Sequence, residues 1–197
     1  SSNRDVFRFN NSNGLNFQHT PSGIEVNTTS VFRDPAAWYH IVLVFDSTNP
    51  TTSDRVRIYA NNVLQPSSGT YGSQNQETWI NSTYKQWLGC RTIDGSTPDA
   101  EYDGYMTEVH FIDGTALHPS EFAEVKNNQW VPKEYKGTYG GNGYYKKFDG
   151  TSAVGTAITD FSGLTGHSIT ANGAAHTDTA IKKFGTASGQ FPLTADY

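Results

Sequence analysis

The stretch that decides the fold is WYHIVLVFD, residues 38–46. Side chains alternate across an extended strand, so this segment presents two different faces. Both faces are largely apolar: the two sets are Tyr39, Ile41, Leu43 and Phe45, and Trp38, His40, Val42 and Val44. A strand that is apolar on both faces is typical of the middle of a packed sheet. We therefore expect a central strand, with Trp38, Ile41, Leu43 and Phe45 in the interior.

Segments on either side of this strand alternate in the same way and are separated by turn residues. VFRFNNSNGLNFQ, residues 6–18, predicts a hairpin around Asn-Ser-Asn-Gly, and GIEVNTTSVF, residues 23–32, predicts a further strand. RVRIYANNVLQ, residues 55–65, predicts a second hairpin, because Asn61 and Asn62 tolerate a positive φ. ALHPSEFAEV, residues 116–125, predicts a single short helix with Ser120 or Pro119 near its start. The sequence thus indicates an all-β fold.

Composition supports this class and excludes several functions. Of the 197 residues only 35% are hydrophobic, yet 13% are aromatic, so much of the core must consist of Tyr, Phe and Trp. The net charge of −5, without a run of Lys or Arg, argues against a nucleic-acid partner. No apolar stretch approaches the length of a membrane helix, so no membrane insertion is expected. A single cysteine excludes a disulfide scaffold.

A carboxylate and an imidazole share one face of DGYMTEVHFIDGTAL, residues 103–117, which predicts a long strand. Glu108 and His110 lie two residues apart, so they could perform acid/base chemistry or could line a solvated sheet surface. Motifs for zinc hydrolysis, phosphate binding and serine nucleophiles do not occur in the sequence. We favour the structural interpretation and expect no catalytic residues.

A sugar site is suggested by aromatic side chains that are interleaved with amides between residues 71 and 87. Stacking platforms beside hydrogen-bonding groups suit saccharide binding, although the same rings could fill the core of a chain poor in aliphatic residues. The candidate glycan-binding residues are Tyr71, Trp79, Tyr84, Trp87, Asn75 and Asn81. Gln74 and Gln76 are their polar neighbours.

Calcium is a candidate cofactor, because it prefers oxygen ligands at loop ends. Asp46, Asp54, Asp94, Asp99 and Asp103 all lie at predicted strand ends. Acidic residues at such positions are also ordinary turn formers. No other cofactor is expected, and the scattered histidines lack the spacing of a zinc site.

The order of three of these segments, 38–46, 55–65 and 103–117 extended to Phe122, resembles a laminin-G-like or concanavalin A-like lectin/glucanase domain. The resemblance covers about residues 31–125 and implies a jelly-roll β-sandwich of antiparallel strands. That family's sandwich starts with strands that precede the first residue here, so the resemblance implies that the first strands are lacking. Its glucanase branch requires ExDxxE or ExDxE. Glu101 and Asp103 begin such a pattern, but Tyr105 and Met106 stand where the third carboxylate would be needed.

Three phrases resemble, more particularly, modules of marine bacteriophage structural and tail-fibre proteins: FRDPAAWYHIV, EVHFIDGTALHPSEF and WVPKEYKGTYGGNGYY. The resemblance implies a non-catalytic structural or adhesive module of a tail fibre or capsid fibre, located in the virion, an extracellular particle. Its partners would be other copies, virion structural proteins and a host-surface polysaccharide. The alternatives are a glycoside hydrolase and a calcium-dependent secreted lectin domain.

Residues 1–150 are expected to form the sandwich, with 151–197 as an extended tail or the opening strands of a second, similar module. The tail has few large apolar side chains among its Gly, Thr and Ala residues, so it cannot offset its own ordering entropy. We expect it to join another module or another subunit.

Overall fold

A computed structural model describes residues 3–80, 82, 86–92 and 98–148, and the strand segments 157–158, 169–170, 176–178 and 188–191. Within these residues the regular structure consists of short strands and two 3-10 helices. Every strand pair is antiparallel. The predicted all-β class is confirmed. No helix in this described part of the chain is long and apolar enough to cross a membrane.

The strands are named in chain order. The first nine are β1 (Arg4–Phe9), β2 (Leu15–Thr20), β3 (Ile24–Thr28), β4 (Ile41–Phe45), β5 (Val56–Ala60), β6 (Val63–Leu64), β7 (Ser67–Thr70), β8 (Arg91–Thr92) and β9 (Pro98–Asp99). The others are β10 (Gly104–Met106), β11 (Val109–Phe111), β12 (Ala123–Lys126), β13 (Gln129–Pro132), β14 (Tyr144–Lys146), β15 (Ala157–Ile158), β16 (Ile169–Thr170), β17 (His176–Asp178) and β18 (Ser188–Phe191). The 3-10 helices are Thr52–Arg55 and Pro119–Glu121.

The chain packs as two compact units. Unit 1 contains Ser1–Tyr84 and Ala116–Tyr135, and unit 2 contains Lys85–Thr115 and Lys136–Tyr197. The predicted domain boundary at residue 150 falls within 149–156, outside the described residues, and stays a prediction.

One sheet of unit 1 has the strand order β1-β2-β3-β7. The predicted hairpin of β1 and β2 is confirmed, and Asn10 explains its turn. The Asn10 Oδ1 atom accepts hydrogen bonds from the backbone N–H groups of Ser12 (2.9 Å) and Gly14 (3.0 Å), while Asn13 adopts a φ of 63°. The Asn10 side chain therefore adds to the backbone hydrogen bonds of the turn, in which the Asn10 N–H donates to the Gly14 carbonyl at 2.8 Å.

The other large sheet of unit 1 has the order β4-β5-β6. Asn61 and Asn62, with φ of 49° and 71°, form the predicted turn between β5 and β6. β4 begins at Ile41, three residues after the predicted start. Asn61 explains this limit, because its N–H and its side-chain Oδ1 bond the backbone O and N–H of His40.

β4 was expected in the middle of a sheet, and this was wrong for the described residues, where β4 pairs with β5 alone. Both of its faces are nevertheless used. The face with Ile41, Leu43 and Phe45 packs against the core, as predicted, although these side chains are half-buried. The opposite face includes Val44, which is buried beside Arg57 of β5. Trp38 is half-buried and lies outside the strand.

The core of unit 1 lies between its two large sheets. Six buried side chains define it: Leu15, Phe17, Ile24, Val26, Val56 and Ile58. They come from β2 and β3 of one sheet and from β5 of the other. The rings of Phe17 and Phe45 meet across the interface with centroids 5.8 Å apart. This arrangement of two facing antiparallel sheets is that of a β-sandwich.

The helix expected over residues 116–125 is wrong in extent. Only Pro119–Glu121 is helical, with the His118 ring accepting a hydrogen bond from the Ser120 N–H at its start. From Ala123 the chain enters the hairpin of β12 and β13. Asn127 and Asn128 have positive φ values in that turn, so an Asn-Asn pair again favours the hairpin over helix continuation.

In unit 2 the long strand expected over 103–117 is divided into β10 and β11. Glu108, which has a φ of 53°, lies between them, and β10 pairs with β18 whereas β11 pairs with β14. A left-handed residue cannot continue a regular strand, so the chain changes partners there. The tail strand β18 also pairs with β17. That the tail joins a second module or subunit stays a prediction.

A side-chain contact links the β12–β13 hairpin to His40, the residue that precedes β4. The indole Nε1–H of Trp130 donates a 3.0 Å hydrogen bond to Nδ1 of His40, and the two ring centroids lie 6.0 Å apart. Burial lowers the pKa of His40 below its ordinary value of 6.5. The acceptor nitrogen must be unprotonated, so the contact depends on the neutral imidazole.

We predict that Phe17→Ala lowers the free energy of unfolding by about 3 to 5 kcal/mol, because it leaves a cavity at the centre of the core. Phe45→Ala should cost less than Phe17→Ala, since Phe45 is half-buried. Urea denaturation followed by tryptophan fluorescence measures both. Val63→Ala, at a side chain that is 62% exposed, is the control. Losses below about 1 kcal/mol for both Phe variants would contradict the assigned core.

We also predict that His40 makes stability depend on pH. Between its lowered pKa and 6.5, the unfolded chain binds a proton that the folded chain does not. The stabilisation is therefore fully present above pH 6.5 and is lost as the pH falls toward the lowered pKa. The measurement is the difference in free energy of unfolding between the protein and His40→Gln from pH 7.5 to 5. A difference that stays constant across this range would refute the prediction.

Candidate functional site

An open groove on unit 1 has a volume of about 310 Å³. It is lined by the end of the first 3-10 helix, by β5 and by the connection from β6 to β7. The lining residues are Ser53, Asp54, Val56, Arg57, Leu64, Gln65, Pro66, Ser67 and Tyr71. We call it the Tyr71 groove. It combines one aromatic ring, two charged side chains and several polar groups, the mixture that small polar ligands require.

Arg55 holds one wall of the groove in place by hydrogen bonds. Its guanidinium is buried and donates to three backbone carbonyls: Nε to Asn49 (2.9 Å), Nη1 to Gly72 (2.7 Å) and Nη2 to Pro50 (3.3 Å). These bonds attach the loop that carries Ser53 and Asp54 to the segment that follows β7. Apart from its short 3-10 helix, the loop has no regular structure of its own that would fix its position. The hydrogen bond from Arg55 to the Gly72 carbonyl, 17 residues away, holds it in place.

Tyr71 is held at the opposite wall by its hydroxyl group and its ring. The hydroxyl donates to the Ser67 carbonyl at 3.0 Å and also contacts the Ser67 Oγ at 3.0 Å. The ring packs against the core cluster while remaining half-buried. Tyr71 therefore contributes to both the core and the groove. The sequence offered a ligand-binding role or a core role for this ring, and its position is compatible with both.

The two charged side chains of the groove are not used by the fold. Within the described residues, neither the Arg57 guanidinium nor the Asp54 carboxylate has a side-chain hydrogen bond, and the two do not form an ion pair. The Nε atom of Arg57 is buried without an acceptor. A buried donor without an acceptor costs free energy that no contact within the described residues offsets.

Among the predicted glycan-binding residues, the structure places Tyr71 in the groove and the other described members elsewhere. Asn75 is exposed, and its backbone N–H donates to the Ser47 carbonyl. Trp87 is half-buried in unit 2. Tyr84 and Asn81 lie outside the described residues. Their role in glycan binding stays a prediction.

Trp79 belongs to a polar cluster next to β1 and β2. Its indole N–H donates to the Thr20 carbonyl at 2.9 Å, and its ring lies 6.4 Å from that of His19. Nδ1 of His19 is 2.5 Å from Oδ1 of Asp5, whose second oxygen accepts the N–H of Ile80 at 2.5 Å. These contacts attach residues 79–80 to the first sheet of unit 1.

The predicted calcium ligands do not converge in the described part of the chain, where no three His, Cys, Asp or Glu side chains form a metal-binding group. Asp46 accepts a hydrogen bond from the Thr48 hydroxyl at 2.6 Å, and Asp103 is exposed in unit 2. Asp99 lies in β9, and Asp94 is outside the described residues. Calcium binding stays a prediction.

Glu108 and His110 are both engaged by tyrosines in unit 2. The Tyr145 hydroxyl donates to Oε2 of Glu108 at 2.5 Å, and Nδ1 of His110 lies 2.8 Å from the Tyr139 hydroxyl. The imidazole is stacked on Tyr145 with ring centroids 4.3 Å apart. Each group has a different phenol partner, an arrangement that suits a structural cluster.

Sequence reasoning missed Arg57, Ser67 and Gln65 as groove residues. One signal was present: in RVRIYA, arginine occupies the face opposite the apolar Val56, Ile58 and Ala60. Alternation shows that Arg57 points away from the core, but only the fold brings it beside Tyr71.

One family model matches residues 1–123 of the 197 and describes the concanavalin A-like lectin/glucanases superfamily. The match begins before the region over which the resemblance was recognised and ends in β12. No curated protein and no solved structure matches the chain significantly.

We predict that Arg55→Met lowers the free energy of unfolding by about 3 kcal/mol, because three carbonyls lose a charged donor. Arg55→Lys should recover part of this loss, since an ammonium group can reach fewer of the carbonyls. Amide hydrogen exchange should also become faster across residues 46–54. Unaltered stability and exchange in Arg55→Met would show that the loop is held by other contacts.

Proposed function

The chain belongs to the concanavalin A-like lectin/glucanase superfamily, and from this premise we propose that it is a non-catalytic, carbohydrate-binding module whose ligand occupies the Tyr71 groove. A domain of this superfamily fits a carbohydrate-binding or structural role, and fold alone does not separate the two. The Tyr71 groove favours binding.

The observation that carries the proposal is the pair of free charged side chains beside an anchored aromatic ring. Saccharides offer hydroxyl groups that both donate and accept, and an apolar ring face that stacks on an aromatic side chain. Asp54 supplies the acceptor, Arg57 supplies the donors and Tyr71 supplies the ring. Because Tyr71 and the Asp54 loop are held by hydrogen bonds, little ordering is needed when the ligand binds.

Two observations support a module without hydrolase activity. A retaining glycosidase needs two carboxyl groups about 5 Å apart, and among the described residues Asp54 is the one carboxylate that lines the groove. Glu108, in unit 2, is bonded to a tyrosine hydroxyl. Both features favour binding over the hydrolase alternative.

We further propose that the module belongs to a virion appendage, a tail fibre or a capsid fibre of a bacteriophage. The support is the resemblance of residues 32–42, 108–122 and 130–145 to modules of marine phage proteins. Its partners would be other copies or virion structural proteins, and its ligand would be a host-surface polysaccharide. In such an assembly many weak groove contacts act together, which raises the overall affinity.

An array of bacterial surface polysaccharides and algal oligosaccharides tests this function. We expect Ser53→Trp, which fills the groove from an exposed position, to weaken binding by about tenfold or more, that is by at least 1.4 kcal/mol. Ser12→Trp, in the exposed β1–β2 turn, and Glu108→Gln, a carboxylate outside the groove, are the matched controls and should bind like the parent protein.

The same samples are assayed for release of reducing ends, which we expect to be absent. Binding that survives Ser53→Trp would move the ligand away from the groove. Release of reducing ends that disappears in Glu108→Gln would instead establish the hydrolase alternative.

A further inference from the structure

We infer that the Tyr71 groove prefers a saccharide that carries a carboxylate, with Arg57 as the residue that selects it. This inference rests on the proposed function, because it specifies the class of ligand for the same groove. It follows from the environment of the Arg57 guanidinium and from the chemistry of its possible acceptors.

Arg57 is a half-buried cation for which no hydrogen-bond acceptor is found among the described residues. It lies opposite the buried Val44 on β4, so its aliphatic stem starts from a surface with little water. The Nε atom of Arg57 is enclosed and has no hydrogen-bond acceptor. Within the described residues, the guanidinium forms no ion pair with Asp54. Partial burial of a charge without a counterion is costly, and a ligand that brings the counterion removes that cost.

Arg55, by contrast, is an arginine whose hydrogen-bond donors are used by the fold. Two residues earlier in the chain, that guanidinium donates to three carbonyls. The guanidinium of Arg57, by comparison, has no such carbonyl partner among the described residues, so an acceptor from outside the chain would not compete with one from the fold. Ser67 and Gln65 line the same groove and can bond the hydroxyl groups of the sugar ring.

A carboxylate suits these donors better than a hydroxyl group does. The guanidinium presents two parallel N–H groups that match the two oxygens of a carboxylate, whereas a hydroxyl oxygen accepts them singly and without charge. A uronate-type sugar carries such a carboxylate on the ring that would stack on Tyr71. The negative charge of Asp54 repels the carboxylate of the ligand. It should therefore reduce the preference for a carboxylated sugar and direct the ligand carboxylate toward Arg57.

The test compares matched pairs of oligosaccharides by titration calorimetry. Each pair is an oligo-uronate, of galacturonate, glucuronate or mannuronate, and the same oligomer with its carboxyl groups reduced to primary alcohols. We expect the carboxylated member of at least one pair to bind about tenfold more tightly, as a charge-assisted pair of hydrogen bonds gives. Raising the ionic strength should lower the ratio of the two affinities, because salt screens the charge–charge attraction.

Variants at Arg57 and at Asp54 assign the preference to its residues. Arg57→Gln should bring the ratio between the two members close to one, and Arg57→Lys, which keeps the charge but loses the fork, should give an intermediate ratio. Asp54→Asn should increase the ratio, because it removes the opposing charge. Opposite changes at the two positions are not expected from a general loss of folding, which circular dichroism checks separately.

Each outcome separates the inference from the proposed function. Equal binding of both members, or a ratio that Arg57→Gln leaves intact, overturns the choice of a carboxylated sugar and leaves carbohydrate binding standing. If the reduced members bind more tightly, the inference is likewise wrong. If no saccharide on the array or in the matched pairs binds, the proposed function fails, and the inference fails with it.

Discussion

The burial of β2 and β3 against β5 is the interaction on which unit 1 depends. Phe17 lies at its centre and is fully enclosed, with Phe45 of the facing sheet 5.8 Å away. The groove is built directly on this contact, because Val56 belongs both to the core cluster and to the groove lining. Tyr71 has the same double position. The groove therefore takes its rigidity from the core, where packing leaves little freedom.

Polar side chains hold the turns and loops of unit 1 in place. Asn10, Asn61 and Asn127 form turns by accepting backbone hydrogen bonds or by adopting left-handed conformations. Arg55 holds an irregular loop by its carbonyls. Such contacts suit a chain with a low hydrophobic content, because short strands joined by specific turns require less apolar surface than long ones.

Two sets of charged groups in unit 1 differ in their surroundings. Asp5 and His19 are buried together, with the Ile80 N–H as an additional donor, and Arg55 is saturated by carbonyls. Asp54 and Arg57 share a groove and are satisfied by neither the fold nor each other. Folding stability explains the first set. The second set has no such explanation, which is why it points to a ligand.

The sequence by itself determined the strands, because alternation and turn chemistry are local: the β1–β2 hairpin, β3 and the Asn61-Asn62 turn followed directly from it. It also determined the superfamily, through the order of those segments. Only the tertiary structure decided that β4 lies at a sheet end among the described residues, that Glu108 divides one predicted strand into two, and that the helix after residue 116 ends at Glu121, before a hairpin. Each depends on which strands pair, and alternation does not specify partners. The groove has the same origin, since Asp54, Arg57 and Tyr71 lie on different segments that only the packed sheets bring together.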